Sequence, residues 1–357
     1  MNELLYWIWL SILQKVSFTV KYSLIRQYGS AYNLWMHFRS EHDKSCVNES
    51  VYNELVCVNY RSKAERMLEK VLNEGIGVLT IDNVDYPDLL LKIPDPPVVL
   101  YYIGNKNYLK NCFGMVGSRK ATGYGKNSAL KISSELAENG IVIASGLARG
   151  IDTYAHKGAI DSKGKTAAVL GCGVNIIYPS ENKKLYYNII DNGIVLSEYP
   201  PDTKPLSYNF PPRNRIISGL SKAIAVIEAG EKSGTLITVD YALAQGREVF
   251  ALPGNIYSLQ SKGTNRLIYQ GAIPLINNND IFQLYNIEPK KDSTVIENIL
   301  DEQEKAIYDL ICQDTSDIDT ISIVTGIKPN IVMAVLLSLE LKLLIKHKNE
   351  GGYMPFK

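Results

Sequence analysis

Apolar residues near the start of the chain recur at helical spacing: Leu4, Leu5, Ile8 and Ile12, then Ala64, Met67, Leu68 and Val71. A repeat every three to four residues predicts amphipathic helices. Between these stretches Gly29 is placed to end one helix and Ser30 to cap the next. Residues 1–75 are therefore expected to form a small helical domain, either of the SAM or helix-hairpin-helix kind or a plain packing module. After residue 75 the pattern changes. Short unbroken apolar runs at 113–117, 141–145, 167–171, 194–197, 223–229 and 249–253 alternate with glycine-rich turns and segments of helical period. Strands covered on both faces read this way, and the alternation predicts an α/β core with a doubly wound parallel sheet over residues 76–285. Such sheets take ligands beyond the carboxyl ends of their strands.

Polar residues Asn277, Asn278, Asn279 and Asp280 and the charged stretch 288–294 announce a linker, placed at 286–295. Helical period resumes over 296–357 with Ile307, Leu310 and Ile311, then Ile318, Ile321 and Val324, then a third helix over 330–341. Leu343, Leu344 and Ile345, followed after Gly351 and Gly352 by Tyr353, suggest a closing hairpin. Three helices and a hairpin predict a winged-helix-like domain. Its recognition segment, 328–340, is apolar and has few Lys or Arg, which favours contact with protein.

Composition adds limits. Of 357 residues, 46% are hydrophobic and 21% charged, which are globular values. Lys and Arg number 38 against 37 Asp and Glu, a net charge of +1; an anion site must therefore be a local cluster. The five cysteines, Cys46, Cys57, Cys112, Cys172 and Cys312, are odd in number and form no CxxC pair. Reduced, packed thiols are expected, with neither a disulfide framework nor a zinc site. Cys172, between two glycines, is read as packing. The apolar stretch up to Val16 carries Glu3, lacks a basic leader and is too short for a bilayer. A buried helix, no membrane contact and a cytoplasmic location are expected.

Candidate chemistry gathers at the predicted strand ends. One run enters Gly117-Ser118-Arg119, a strand–turn–helix arrangement whose backbone N–H groups suit an anion, with Arg119 as a planar cationic fork. Neither GxGxxG nor a P-loop is present. The next run ends in Ser145-Gly-Leu-Ala-Arg-Gly-Ile-Asp152, where Arg149 is a phosphate or carboxylate partner and Asp152 an expected helix cap. In Phe210-Pro-Pro-Arg-Asn-Arg215 the prolines open a helix with Arg213 and Arg215 in its first turns. Two readings stand: Phe210 stacks on a base while the arginines hold phosphates, or Phe210 lies in the core and the arginines pair with Glu198 or Glu228. Ser233, Gly234 and Thr235 open another helix after Glu228, and Lys262 and Asn265 precede a last one. Anion ligands are many and acid–base pairs few, so the site is expected to bind phosphates without transforming them, with no cofactor and no metal.

Val116-Gly-Ser-Arg119, Ser145 to Asp152, Pro212-Arg-Asn-Arg-Ile-Ile-Ser-Gly219, Ser233-Gly-Thr-Leu-Ile-Thr238 and Gly246 to Gly254 resemble, in order and spacing, the DNA-processing protein A (DprA/Smf) family; so does the lead-in from Tyr86-Pro87 through Asp95-Pro-Pro97 to Tyr101 and Gly104. The resemblance spans roughly residues 80–275. It implies an extended Rossmann-like core that forms homodimers, binds and protects incoming single-stranded DNA and loads RecA recombinase onto it during natural transformation. It also implies a phosphate-binding loop at Gly117, Ser118 and Arg119, an aromatic pocket residue at Phe210, and an adjoining motif at Arg213 and Arg215. Some members carry a Lys shortly before that aromatic; this chain has Ser207 there, with Lys204 further upstream. Two other readings remain: a nucleotide-binding Rossmann-like hydrolase using Glu228, and a nucleotide sensor.

Overall fold

The computed structural model describes residues 3–13, 15–40, 47–289, 300–312, 317–342, 344–347 and 352–355. Of the features expected from sequence, Cys46, linker residues 290–295, Leu343 and Gly351 lie outside them. The chain divides into two compact units, Met1–Glu288 and Pro289–Lys357.

The first unit opens with α1 (Leu4–Ile12), α2 (Phe18–Tyr28), α3 (Ala31–Ser40), α4 (Glu49–Leu55) and α5 (Val58–Asn73). Gly29, in the left-handed region at φ 80°, closes α2, and the Ser30 hydroxyl accepts the Asn33 N–H at 3.1 Å. Helix α1 is covered on nearly every side, with Tyr6 to Leu10 and Ile12 buried. Its indole at Trp9 meets that of Trp35 edge-on at 5.2 Å. It is thus a core helix, not an amphipathic surface one. These helices share a single apolar cluster with the sheet, running from Trp9 and Leu34 through Leu79 and Leu100 to Ala144 and Val226.

The sheet region then follows as β1 (Gly77–Thr80), α6 (Asp88–Leu91), β2 (Val99–Gly104), β3 (Cys112–Val116), α7 (Gly123–Glu138), β4 (Val142–Ser145), α8 (Ile151–Asp161), β5 (Thr166–Val169), α9 (Lys183–Asn192) and β6 (Ile194–Ser197). It continues with α10 (Phe210–Leu220), β7 (Ser221–Val226), α11 (Thr235–Ala244), β8 (Glu248–Ala251), α12 (Lys262–Tyr269), β9 (Ile273–Pro274) and α13 (Asn279–Tyr285). The strand order is β1-β2-β6-β5-β4-β3-β7-β8-β9. From β6 to β9 all pairings are parallel. β2 runs antiparallel to both β6 and the edge strand β1, so the expected parallel sheet is the larger part of a mixed one.

Alternation along β3 shows the double winding. Cys112 and Val116 point into the core shared with α10 and α11, while Phe113 and Met115 point into the core under α7 and α8; successive strand residues face opposite sides. The chain walks outward from β3 to β6, then returns through residues 198–220 to place β7 on the other side of β3. Strand order thus reverses at β3, and a crevice opens beyond its carboxyl end.

The second unit contains α14 (Glu302–Cys312), α15 (Ile318–Thr325), α16 (Pro329–Leu341) and an antiparallel hairpin of β10 (Ile345–His347) and β11 (Tyr353–Pro355). Ile307, Ile311, Ile321, Val332, Leu336, Leu339 and Ile345 form its core. Glu304 ties α14 to α16 by accepting from Ser338 at 2.7 Å and Lys342 at 2.6 Å. Among the described residues no single helix is long and apolar enough to cross a membrane.

Candidate nucleic-acid interface

A cleft of about 600 Å³ occupies the crevice at the carboxyl end of β3, walled by the turns after β3, β4 and β7 and by the first turns of α10 and α11. The turn after β3 is fastened on both sides. Ser118 N–H donates to Glu228 O at 2.7 Å, and Ile151 N–H donates to Ser118 O at 3.2 Å. Gly150, at φ 76°, lies against Ser118 O, where a Cβ has no room. The Ser118 hydroxyl accepts from Lys120 N–H at 3.1 Å and so shapes the turn that presents Arg119.

Phe210 begins α10, half-buried. Its ring meets that of Tyr178 at 5.5 Å, and a Cβ on Gly171 would approach its Cδ1 to 2.8 Å, so the glycine lets the ring lie flat against the β5 turn. The guanidinium carbons of Arg119 and Arg213 sit 5.7 and 5.8 Å from its centroid. Both distances are within the range of cation–π attraction.

The two α10 arginines separate. Arg213 is buried, and its Nη1 donates to Gly146 O at 3.0 Å and to Val169 O. It thereby satisfies carbonyls at the ends of β4 and β5. Burial pulls its pKa down and the nearby Asp152 pulls it back up; a guanidinium keeps its charge regardless. Asp152 accepts Gly146 N–H at 3.2 Å and Ala148 N–H at 3.4 Å. It therefore braces the loop before α8 instead of capping that helix, whose N-cap is Gly150. Burial raises its pKa, against the pull of Arg213 and the two backbone donors. Arg215 turns away from the cleft and grips Glu198 with two bonds, 2.8 and 2.5 Å, and reaches Asp95 at 3.3 Å.

Glu228, also buried, pairs with neither arginine. Its two oxygens accept from Thr122 N–H at 2.9 Å and Thr122 Oγ1 at 2.5 Å, which fixes the entry to α7. Ser233 and Thr235 line the cleft with Gly234 between them, and the Ser233 hydroxyl donates to Thr235 Oγ1 at 2.9 Å. Three other candidates lie outside its wall. Arg149 pairs with Glu181 at 2.6 Å on the surface. Lys262 stands 3.8 Å from Glu231. Asn265 clasps Gly254 through its N–H at 3.1 Å and its carbonyl at 2.9 Å. Gly117, Ser118, Arg119, Phe210 and Arg213 are brought together with the Ser233–Thr235 turn.

Lys120 and Lys232 also line the cleft and were not singled out from sequence; each adjoins a motif residue that was. Ser207 lies in the wall, whereas Lys204 does not. The wall thus carries four cations, Arg119, Lys120, Arg213 and Lys232, and one acid, Asp152. Arg119, Lys120 and Lys232 are exposed, and none takes part in the ion pairs around the cleft, which are those of Arg149, Arg215 and Lys262. Acid–base groups are otherwise engaged. His156 is fully buried, with Nδ1 2.6 Å from Thr166 Oγ1. The buried Cys172 thiol donates to Ile176 O at 3.4 Å, and burial pushes its pKa up to about 11. Among the described residues no group of His, Cys, Asp and Glu is arranged to hold a metal.

A family model described as DNA recombination-mediator protein A matches residues 77–286. The chain is 44% identical over 223 residues to the DNA processing protein DprA of Bacillus subtilis, a match covering 62% of this chain and 75% of that protein. The solved structure of DNA processing protein A from Streptococcus pneumoniae superposes with a TM-score of 0.67 at 36% identity, covering 79% of this chain and 97% of that one. DNA processing protein A from Helicobacter pylori, whose structure concerns its single-stranded DNA binding mode, superposes with a TM-score of 0.54 at 31% identity, covering 60% of this chain and 97% of that one.

Proposed function

The chain belongs to the DNA recombination-mediator protein A family, and from that premise we propose that its cleft binds single-stranded DNA, protects it and passes it to RecA recombinase during natural transformation and recombination. One observation carries the reading: Arg119, Lys120 and Lys232, in no ion pair among the described residues, line one cleft with the half-buried ring of Phe210, and Arg119 lies against that ring. Cations that track a backbone beside a ring that accepts any base are what sequence-tolerant single-strand binding uses. The single-stranded DNA binding of the Helicobacter pylori relative supports the same ligand here.

Within this reading the Gly117 and Gly234 N–H groups and the Ser118 and Thr235 hydroxyls are offered to phosphates, while Ser233 shapes the turn through its bonds to Gly230 O and Thr235. Arg119, Lys120 and Lys232 supply charge, and Phe210 stacks a base. Arg213 holds the loops after β4 and β5, while Arg215, Arg149 and Asn265 make structural contacts outside the cleft wall. The hydrolase reading asks Glu228 to act as a base, yet both of its oxygens are taken by Thr122. The reading includes a homodimer in a cytoplasmic setting, for which sedimentation of the pure protein is the check, and a direct RecA contact, checked by assembly of RecA on coated single strands.

The test of the ligand is anisotropy of a labelled single-stranded oligonucleotide, with matched duplex as competitor, for the wild type and Arg119→Ala. Single-strand preference that collapses in the variant is the expected result. Equal competition by duplex, or an unaffected variant, overturns the assignment.

A further inference from the structure

Loop 253–261, between β8 and α12, continues the cleft wall through Gln260. It is stitched to the cleft floor at one end, where Ala229 N–H donates to Gln260 O and Gly263 N–H to Ala229 O, both at 2.8 Å. At the other end Asn265 clasps Gly254, and the Tyr124 hydroxyl donates to Pro253 O at 2.8 Å. Inside the loop, Tyr257 N–H donates to Asn255 Oδ1 and Ser258 N–H to Asn255 O, both at 2.9 Å. The loop is therefore braced along its length. Even so, it leaves Ile256, Tyr257 and Leu259 exposed over 69, 86 and 69% of their surface. Three large exposed apolar side chains within four residues of a braced loop beside a binding cleft point to an interaction site.

We propose that this loop is a second platform for unpaired bases, on which the same single strand lies after leaving the cleft; the inference rests on the nucleic-acid reading of that cleft. Three features favour bases as the occupant. The loop adjoins the cleft through Gln260, and Leu259 O lies beside Gly230 of the cleft wall. Single strands are held by successive stacking surfaces, and the cleft wall contributes one aromatic ring, Phe210. Residues 253–261 carry no charged side chain, so the loop offers a phosphate no cation and a base an uncharged ring and two aliphatic chains, with cationic Lys232 in the cleft wall to take the backbone. Tyr257, the most exposed of the three, is the stacking ring.

The experiment uses the full chain and labelled oligothymidylates of about 4 to about 16 nucleotides, in the range of single-strand site sizes. Tyr257→Ala is expected to bind the shortest probe as the wild type does and the longest about fivefold or more weakly, with the salt slope unchanged because no phosphate contact is lost. Tyr257→Trp is expected to restore the long-probe affinity. Wild-type affinity of Tyr257→Ala at every length overturns the platform. Altered sedimentation of Tyr257→Ala with unchanged DNA affinity also overturns it, by assigning the loop to contacts between copies of the chain. Wild-type protein that binds no probe at all, with Arg119→Ala no worse, overturns the reading of the cleft itself.

Discussion

Truncating Phe210 to Ala removes two separable things. In the free protein the ring packs on Tyr178 and against Gly171, but it is only half-buried and faces an open cleft. Phe→Ala in a closed core costs about 3–5 kcal/mol; partial exposure brings the expected loss of stability here to about 1–2 kcal/mol. Toward a single strand the loss is a base-stacking surface, about 1–3 kcal/mol. The dissociation constant should then rise by about 5- to 150-fold. Urea denaturation gives the first quantity, and anisotropy with a labelled single strand, scaled to the folded fraction, gives the second. Phe210→Trp should keep most of the affinity, since a larger ring still stacks. A stability loss of about 3–5 kcal/mol with unchanged affinity per folded molecule would place Phe210 in the core and remove it from the interface.

Arg119→Ala should weaken single-strand binding whatever the base sequence and lower the slope of log affinity against log salt by about 0.7 for the one phosphate released, as a salt titration would read; an unchanged slope takes Arg119 off the backbone. Arg215→Met should cost about 3–5 kcal/mol in denaturant melts, because Glu198, 18% exposed, loses its bidentate partner, while affinity per folded molecule stays; a collapse of binding at full stability assigns Arg215 to the ligand instead. His156 should make stability fall with acid. Burial, aided by Arg213, lowers its pKa to about 3 from 6.5, so the unfolded chain takes up a proton that the folded one refuses. Its contribution is complete above about pH 7 and declines by about 1.4 kcal/mol per unit as pH drops through the window between those values. Melts at pH 7 and pH 5 of wild type and His156→Gln check this, and identical pH dependence in the two proteins defeats it.

The central strands were legible because each is covered on both faces and so reads as an unbroken apolar run. β1 and β2, at one side of the sheet, were not. Gly77–Thr80 is four residues long, and Val99–Gly104 has a mixed burial pattern and follows two prolines, so neither stands out against a loop. The site was legible where one strand end meets one glycine turn, as at Gly117-Ser118-Arg119. It was less so on α10. Residues two apart on a helix do not share a face, and that rule alone separates Arg213, over the strand ends, from Arg215, on Glu198. Which of the two would face the cleft depends on Glu198 and Asp95, 17 and 120 residues away, a relation no local pattern holds. Lys120 and Lys232 escaped notice because a lone exposed lysine is ordinary in any sequence; only their convergence on one cleft gives them meaning.

The charges of the cleft divide by depth. Arg213 and Asp152 are both buried on either side of Gly146, each held by backbone groups of the loops they brace. Together they are nearly neutral, and their bonds are spent on the protein. Arg119, Lys120 and Lys232 lie at the exposed rim and form no ion pair among the described residues; the wall's one acid, Asp152, feels Arg119 from below. A ligand is therefore attracted by the rim and shaped by the interior: charge is supplied where water and salt still screen it, and geometry where they do not. On the single-strand reading, that division predicts affinity that is steeply salt-dependent and nearly indifferent to base sequence. Balanced net charge does not stand against that reading. Glu181, Glu198 and Glu231 are engaged by Arg149, Arg215 and Lys262, which lie outside the cleft wall, while within the wall four cations face the single acid Asp152.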